Sequence, residues 1–523
     1  MHAVIAERSG DVGATKNRTR DHYDRLASQR DEWYRRNYYY HRYLETCLQA
    51  IVPPGASVLE LGCGTGNLLS SLRPSRGVGL DISPESARIA QKNHPELEFR
   101  VGDAEAIPLI SESFDFIVAS DLVGELDDIA AMLDCVRGLS HRNSKLVLTF
   151  HNPVLEGALR VAQRAGWSMT PVQQNWANRQ TIGDLLKLAD FRVESMRHGL
   201  LVPKHIPAIA PLLNRYLSGR RLFTYADLVN IVVASPIIPA PEPQPLSVTV
   251  VIPCRNEIGN IEAAVERLPE LGSHTEILFV DGHSTDGTKE RIEEVIARYR
   301  GRRDIRLLLQ VPDADYGASK DHPDAPTTML KLGKGDAVRK GFDAARGDVL
   351  MILDADLTVP PEDLPRFFYP LATGKADFVN GTRLVYPMED RAMKFVNYLG
   401  NWFFTVLFTW LLEQPIRDTL CGTKAMRRTD YERIKAGRAH FGEFDPFGDF
   451  DLLFGAARCG LRIIEVPVRY RRRVAGVSKV RVSQHGWLLV WMSLIGVRRL
   501  KVENWLDRFR ARSGRRTGGS ARG

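Results

Sequence analysis

The stretch Val349-Leu350-Met351-Ile352-Leu353-Asp354-Ala355-Asp356-Leu357-Thr358 constrains this chain more than any other. An apolar run with the length and composition of a buried strand ends abruptly in two carboxylates, Asp354 and Asp356, at i and i+2. Both leave the strand end on the same side. Two acids placed together there repel each other unless something positive sits between them. A divalent cation carrying a diphosphate answers that need, because Mg²⁺ and Mn²⁺ take oxygen ligands from one or two carboxylates and from substrate phosphates. An Asp-x-Asp pair alone suits a plain strand-end turn equally well, so the flanking sequence has to decide.

At 523 residues the chain is long enough for two domains, and its 44% hydrophobic and 26% charged residues are those of a soluble globular protein. A net charge of +8 points to an anionic partner: nucleotide diphosphates, lipid head groups or nucleic acid. Cys47, Cys63, Cys135, Cys254, Cys421 and Cys459 lie far apart without metal-ligand spacing, which reads as reduced thiols of a cytosolic protein. Residues 1–20 are polar, lack an apolar signal core and read as disordered. From His22 to Ile51, aromatic and leucine residues among many charges predict one or two amphipathic helices.

Ser57-Val58-Leu59-Glu60-Leu61 predicts a buried strand feeding Gly62-Cys63-Gly64-Thr65-Gly66, with a helix after it. A second strand ends at Asp81, a third leads to Gly102-Asp103-Ala104-Glu105, and Phe114-Asp115-Phe116-Ile117-Val118-Ala119-Ser120 is a fourth. An acid at Asp81 stands where a ribose diol would be hydrogen-bonded. Together these motifs resemble those of class I S-adenosylmethionine-dependent methyltransferases over residues 21–235. The resemblance implies a Rossmann-like domain with S-adenosylmethionine as cofactor. It assigns Glu60 and the turn of Gly62, Gly64 and Gly66 to the methionine part, Asp81 to the ribose, and Asp103 with Ala104 to the adenine. His151 and Asn152, after the strand Lys145–Phe150, stand at a strand end where they could face a methyl acceptor, with His151 a possible base. A backbone-capping histidine is the competing reading, and Gln173 to Trp176 read as a loop over the acceptor.

Pro236, Pro239, Pro241, Pro243 and Pro245 make residues 236–246 a semi-rigid linker. Beyond it, strands end at Pro253-Cys254-Arg255-Asn256-Glu257 and at Asp281, and Gly333 to Phe342 leads into the opening stretch. With Gly381-Thr382-Arg383, this run resembles family 2 glycosyltransferases of the GT-A fold, in the dolichyl-phosphate mannose synthase-like branch, over residues 247–485. The resemblance implies a nucleoside diphosphate sugar as donor. Pro253, Glu257, Asp281, Lys334 and Asp354 then line it, Asp354 and Asp356 hold Mg²⁺ or Mn²⁺, and Arg383 meets phosphate. Gly282 stands where the family often has a second Asp, and Thr358 where the mannose synthases carry Gln.

Asp449 or Asp451 is the candidate base for a hydroxyl acceptor. A phosphate acceptor needs cations instead, and Arg469 and Lys479 stand ready in a segment that resembles the polyprenyl-phosphate transferases. Phe395 to Leu412 is free of charge over eighteen residues and reads as a helix lying in a membrane interface, with residues 486–507 as its amphipathic partner and 508–523 as a basic disordered tail. The expected protein is an α/β, two-domain enzyme on the cytoplasmic face of an anionic membrane. It transfers sugar to a polyprenyl phosphate and methyl to an unidentified acceptor. The alternative is a saccharide hydroxyl acceptor, with the methyltransferase-like half binding cofactor only to regulate or anchor. Nucleic acid is not expected as partner, because much of the basic charge lies in the last third of the chain.

Overall fold

The computed structural model describes residues 10–107, 112–172, 174–310, 333–386, 395–438, 448–471 and 493–502. The chain divides into two compact units, Met1–Pro241 with Val385–Pro387, and Glu242–Leu384 with Met388–Gly523.

The first unit is built on strands β1 (Ser57–Leu61), β2 (Arg76–Asp81), β3 (Glu98–Val101), β4 (Phe114–Ser120), β5 (Ser140–His151), β6 (Phe191–Gly199) and β7 (Val229–Pro236). They form one seven-stranded sheet in the order β3-β2-β1-β4-β5-β7-β6. The first five run parallel, and β7 is antiparallel to both neighbours. Helices cover both faces, so the strands read as continuous apolar runs. Leu59 and Leu61 of β1 enter one core with Val78, Ile117 and Leu146. Val58, on the opposite face, enters another with Leu44, Leu48, Val118 and Val147. Strand order reverses between β1 and β4, which opens a crevice at their carboxyl ends.

The second unit repeats that logic with β8 (Val248–Cys254), β9 (Thr275–Asp281), β10 (Asp304–Leu309), β11 (Val349–Ile352), β12 (Phe378–Thr382), β13 (Lys424–Arg427) and β14 (Ile463–Pro467). Its sheet runs β10-β9-β8-β11-β13-β12-β14, with β13 antiparallel between β11 and β12. The reversal between β8 and β11 puts the end of the opening stretch at the switch point. Two α/β domains are thus the observed fold class.

The expectation of disorder over residues 1–20 is corrected in part: a helix runs Gly10–Leu26. It carries no long apolar stripe, which is why its sequence shows no periodicity. It is held instead by buried Tyr23 and by Lys16, which pairs with Asp103 and Glu105. The charge-free stretch forms the helix Phe395–Leu412. Phe408, Leu411 and Leu412 are buried against Phe450 and Phe454, while Val406 and Trp410 are exposed. Among the described residues no helix is long and apolar enough to cross a membrane. Of the expected partner helix only residues 493–502 are described, and the basic tail lies outside the described residues.

Candidate active sites

In the first unit the turn after β1 is shaped by backbone geometry that only glycine adopts without strain: φ is +72° at Gly62, +56° at Gly64 and +81° at Gly66. The Gly64 N–H donates to Asp81 Oδ2 at 2.8 Å and the Ser83 N–H to Oδ1 at 2.9 Å, which fixes the carboxylate at the tip of β2. Gly62, Asp81, Asp103 and Ala104 share the wall of a cavity of about 120 Å³ with Asp121 and Arg30. Gly64 adjoins it through Asp81 and Arg30, whereas Glu60 and Gly66 are not on its wall. Lys16 and Arg30 fill part of the cleft. Lys16 Nζ lies 3.0 Å from Asp103, and the Arg30 guanidinium lies 3.9 Å from Asp81 and over the Tyr23 ring. Neither cation was legible in the sequence: Lys16 lies in a segment that read as disordered, and Arg30 in an amphipathic stretch where it read as one charge among many.

Glu60 is buried, its carboxyl is pushed up to about 8 by desolvation, and its Oε2 has no hydrogen-bond partner among the described residues. A carboxyl raised above its ordinary 4.5 favours folding fully below that value, and the contribution is lost as pH rises towards 8. Glu60→Gln is expected to flatten the fall in stability of this unit between pH 5 and 8, measured by urea unfolding at both ends.

His151, at the end of β5, has Nε2 3.1 Å from the Tyr40 hydroxyl, which donates to Asp121 Oδ2 at 2.5 Å. Asp121 lines the cavity, so His151 is linked to that cavity through Tyr40 rather than capping its own backbone. Asn152, expected to face an acceptor, is turned inward. Its side chain accepts from the Val154 N–H and donates to the carbonyls of Thr224 and Asp227. Asn175 is likewise buried on the carbonyls of Val123 and Leu126, and Gln173 lies outside the described residues.

In the second unit Asp281 closes β9 and accepts from the hydroxyl and N–H of Ser284. Pro253 is the penultimate residue of β8, and Glu257 accepts from the Asn260 side-chain amide at 2.8 Å. At the end of β11, Asp354 pairs with Lys334 Nζ at 2.5 Å. Burial opposes the charge, but the carboxylates of Asp354 and Asp449 hold the Lys334 ammonium above its ordinary value. Asp356 accepts from the N–H and hydroxyl of Thr358, at 3.1 and 2.8 Å. Thr358 therefore orients the second acid.

Two more ion pairs lie near this one, and a third is in the same unit. Lys424, fully buried in β13, donates to Asp449 Oδ1 at 2.6 Å. Arg383 grips Asp418 with two parallel hydrogen bonds, at 2.6 and 2.8 Å, and lies over the Tyr470 ring. Arg438 reaches Asp451 at 2.9 Å. Arg383 is thus held by a carboxylate in this state. Lys424 and Arg438 were not found from sequence, since a lysine inside a strand carries no signal of what it faces. The Arg471 N–H donates to Thr358 O at 2.9 Å, which brings the segment of Arg469 beside the Asp356 turn. Lys479 lies outside the described residues.

Asp354 and Asp356 are hard oxygen donors, and the described residues hold no cluster of three or more His, Cys, Asp or Glu side chains able to bind a metal. Two carboxylates fit an Mg²⁺ or Mn²⁺ ion that completes its shell with diphosphate oxygens and water. Gly422 packs directly on the Asp354–Lys334 pair, where a Cβ would overlap Asp354 Oδ2 and Lys334 Nζ. Gly422→Ala is expected to weaken nucleotide binding by about tenfold or more while the unit stays folded, read by titration with UDP and GDP.

A glycine turn with strand-end acids lies on one sheet and an acid pair beside cations on the other, so each unit offers one candidate active site. The methyltransferase domain family matches residues 32–196, and glycosyl transferase family 2 matches residues 249–308 and 330–434. A polyprenol monophosphomannose synthase of Mycolicibacterium smegmatis is 30% identical over 45% of this chain and 81% of its own length. The chain belongs to the family 2 glycosyltransferases, with a methyltransferase domain preceding the glycosyltransferase domain. A dolichol-phosphate mannosyltransferase of Pyrococcus furiosus is 26% identical over 45% of this chain, which spans 60% of that relative's length. A solved SAM-dependent methyltransferase of Thermotoga maritima, a possible histamine N-methyltransferase, aligns with 42% of this chain and 99% of its own at 19% identity and a TM-score of 0.34.

Proposed function

We propose that the C-terminal unit moves a sugar from a nucleoside diphosphate to a polyprenyl phosphate, and that the N-terminal unit uses S-adenosylmethionine to methylate a separate acceptor. The observation that carries the first half is the fate of the two candidate bases. Asp449 is tied to buried Lys424, and Asp451 to Arg438. A carboxylate oxygen that already accepts from a cation is not free to accept from a sugar hydroxyl. A phosphate acceptor is already anionic, and Lys334, Lys424 and Arg383 bring positive charge to the surroundings of Asp354, each of them also paired with a carboxylate that a phosphate would have to displace or share. The Mycolicibacterium smegmatis relative is, by its name, a synthase of polyprenol monophosphomannose.

Attack by the phosphate oxygen on the anomeric carbon breaks the bond to the diphosphate. Asp354 and Asp356 would hold the metal, which when bound supplies charge neutralisation at the leaving group. Lys334 is placed to exchange Asp354 for diphosphate oxygens, and Thr358 keeps Asp356 oriented. The helix Phe395–Leu412, with Trp410 exposed and Lys501 over its ring, supports a peripheral seat on the cytoplasmic face of a membrane.

The test is acceptor discrimination. With each of several UDP- and GDP-sugars, polyprenyl phosphate is expected to accept label and the unphosphorylated polyprenol none. Equal transfer to both would favour a hydroxyl acceptor. For the N-terminal unit, titration with S-adenosylmethionine and recovery of labelled methyl in a product separate catalysis from cofactor binding alone.

A further inference from the structure

The excursion between β6 and β7, residues 200–228, leaves and returns at one end of the sheet. Gly199 and His151 both pair with Val229, so this is the end where β4 and β5 deliver Asp121 and His151. Within it, Ile206, Ile209, Leu212, Tyr216, Leu222 and Tyr225 are all exposed, Leu222 to 90% and Tyr225 to 73%. The helix Ile209–Tyr216 is amphipathic in the outward sense: Ile209, Leu212 and Tyr216, at i, i+3 and i+7, face solvent, while Ala210 is buried.

Charge on the excursion has one sign. Lys204, Arg215, Arg220 and Arg221 are its charged residues before buried Asp227, with no Asp or Glu between Leu200 and Ala226. None of the four is ion-paired among the described residues. The excursion is anchored from beneath: Asn152 bonds the carbonyls of Thr224 and Asp227, and Asn214 bonds the Tyr39 hydroxyl. A neighbouring segment that leaves the same sheet end after His151 exposes Val154, Val161 and Trp167. Large apolar side chains exposed in such number on one segment are uncommon on a monomeric surface, and the exposed Arg215, Arg220 and Arg221 among them match an anionic bilayer better than a neutral protein face, while Lys204 donates to Asn37.

We propose that residues 204–226 seat the methyltransferase unit on an anionic lipid surface, with the acceptor edge facing the bilayer. The methyl acceptor is then lipid-borne, a consequence that rests on the methyl-transfer reading above. Exposed Leu and Tyr side chains enter the head-group boundary, and the four cations meet lipid phosphates.

The experiment is amide hydrogen exchange on the full chain with phosphatidylglycerol vesicles, with phosphatidylcholine vesicles as control and co-sedimentation measured in parallel. Phosphatidylglycerol is expected to slow exchange over residues 204–226 by about tenfold. The double variant Leu212→Asp/Leu222→Asp, whose changed side chains are exposed, is expected to lose that protection while still sedimenting through the C-terminal half and still binding S-adenosylmethionine. Sedimentation without any change over 204–226 would overturn the proposal and leave the C-terminal membrane reading standing. Failure to sediment with either vesicle would overturn both. Protection that depends on protein concentration and not on vesicles would assign the face to a second copy of the chain and overturn it.

Discussion

Asp356→Ala is expected to lower sugar transfer by roughly 10²–10³-fold or more, with most of the loss in turnover. Asp354 is already neutralised in part by Lys334, and Asp356 accepts from the N–H and hydroxyl of Thr358 within its own turn. Removing the second carboxylate leaves the diphosphate to be stabilised by lysines alone as charge builds on it. Initial rates at saturating donor, with Mg²⁺ and Mn²⁺ varied, check this. A loss under tenfold would mean that the acid pair does not serve the leaving group. Asp356 is half-buried, and unchanged thermal unfolding of the variant is expected, which separates lost chemistry from unfolding.

Lys424→Met is expected to cost about 3–5 kcal/mol, because it strands the buried carboxylate of Asp449 without its counter-charge. The double variant Lys424→Met/Asp449→Asn, which removes both charges, is expected to recover a large part of that loss. Urea unfolding of the four members of the cycle measures the coupling directly. If Lys424→Met and Asp449→Asn instead add without coupling, the pair is not the lock that withholds Asp449 from base catalysis. The saccharide-acceptor reading would then regain ground.

What the sequence made legible was whatever repeats along the chain. The apolar run before Asp354, the strand before Gly62 and the charge-free run Phe395–Leu412 all became the elements their patterns predict. Acids such as Asp81 and Asp354 stood out as candidates because they lie at strand ends, and a strand end at a switch point has few other places to face. Partners that arrive from elsewhere in the fold were not visible. Lys16 reaches Asp103 across 87 positions, and Lys424 meets Asp449 across a strand and a helix start. Asn152 misled because an amide at a strand end serves equally well to tie down the next loop, and here it binds Thr224 and Asp227. The first helix was missed because a chain segment can be ordered by ion pairs without an apolar stripe to announce it.

The measurement that bears most directly on this account is the chemistry of the bond formed. The intact chain is incubated with radiolabelled nucleoside diphosphate sugars, divalent cation and polyprenyl phosphate, and the product is extracted into organic solvent and treated with mild acid. A sugar carried on a phosphate through its anomeric carbon is expected to appear in the organic phase and to be released as free sugar by that treatment. Label that stays in a water-soluble product and survives mild acid would show a glycosidic bond to a hydroxyl, and would contradict the account.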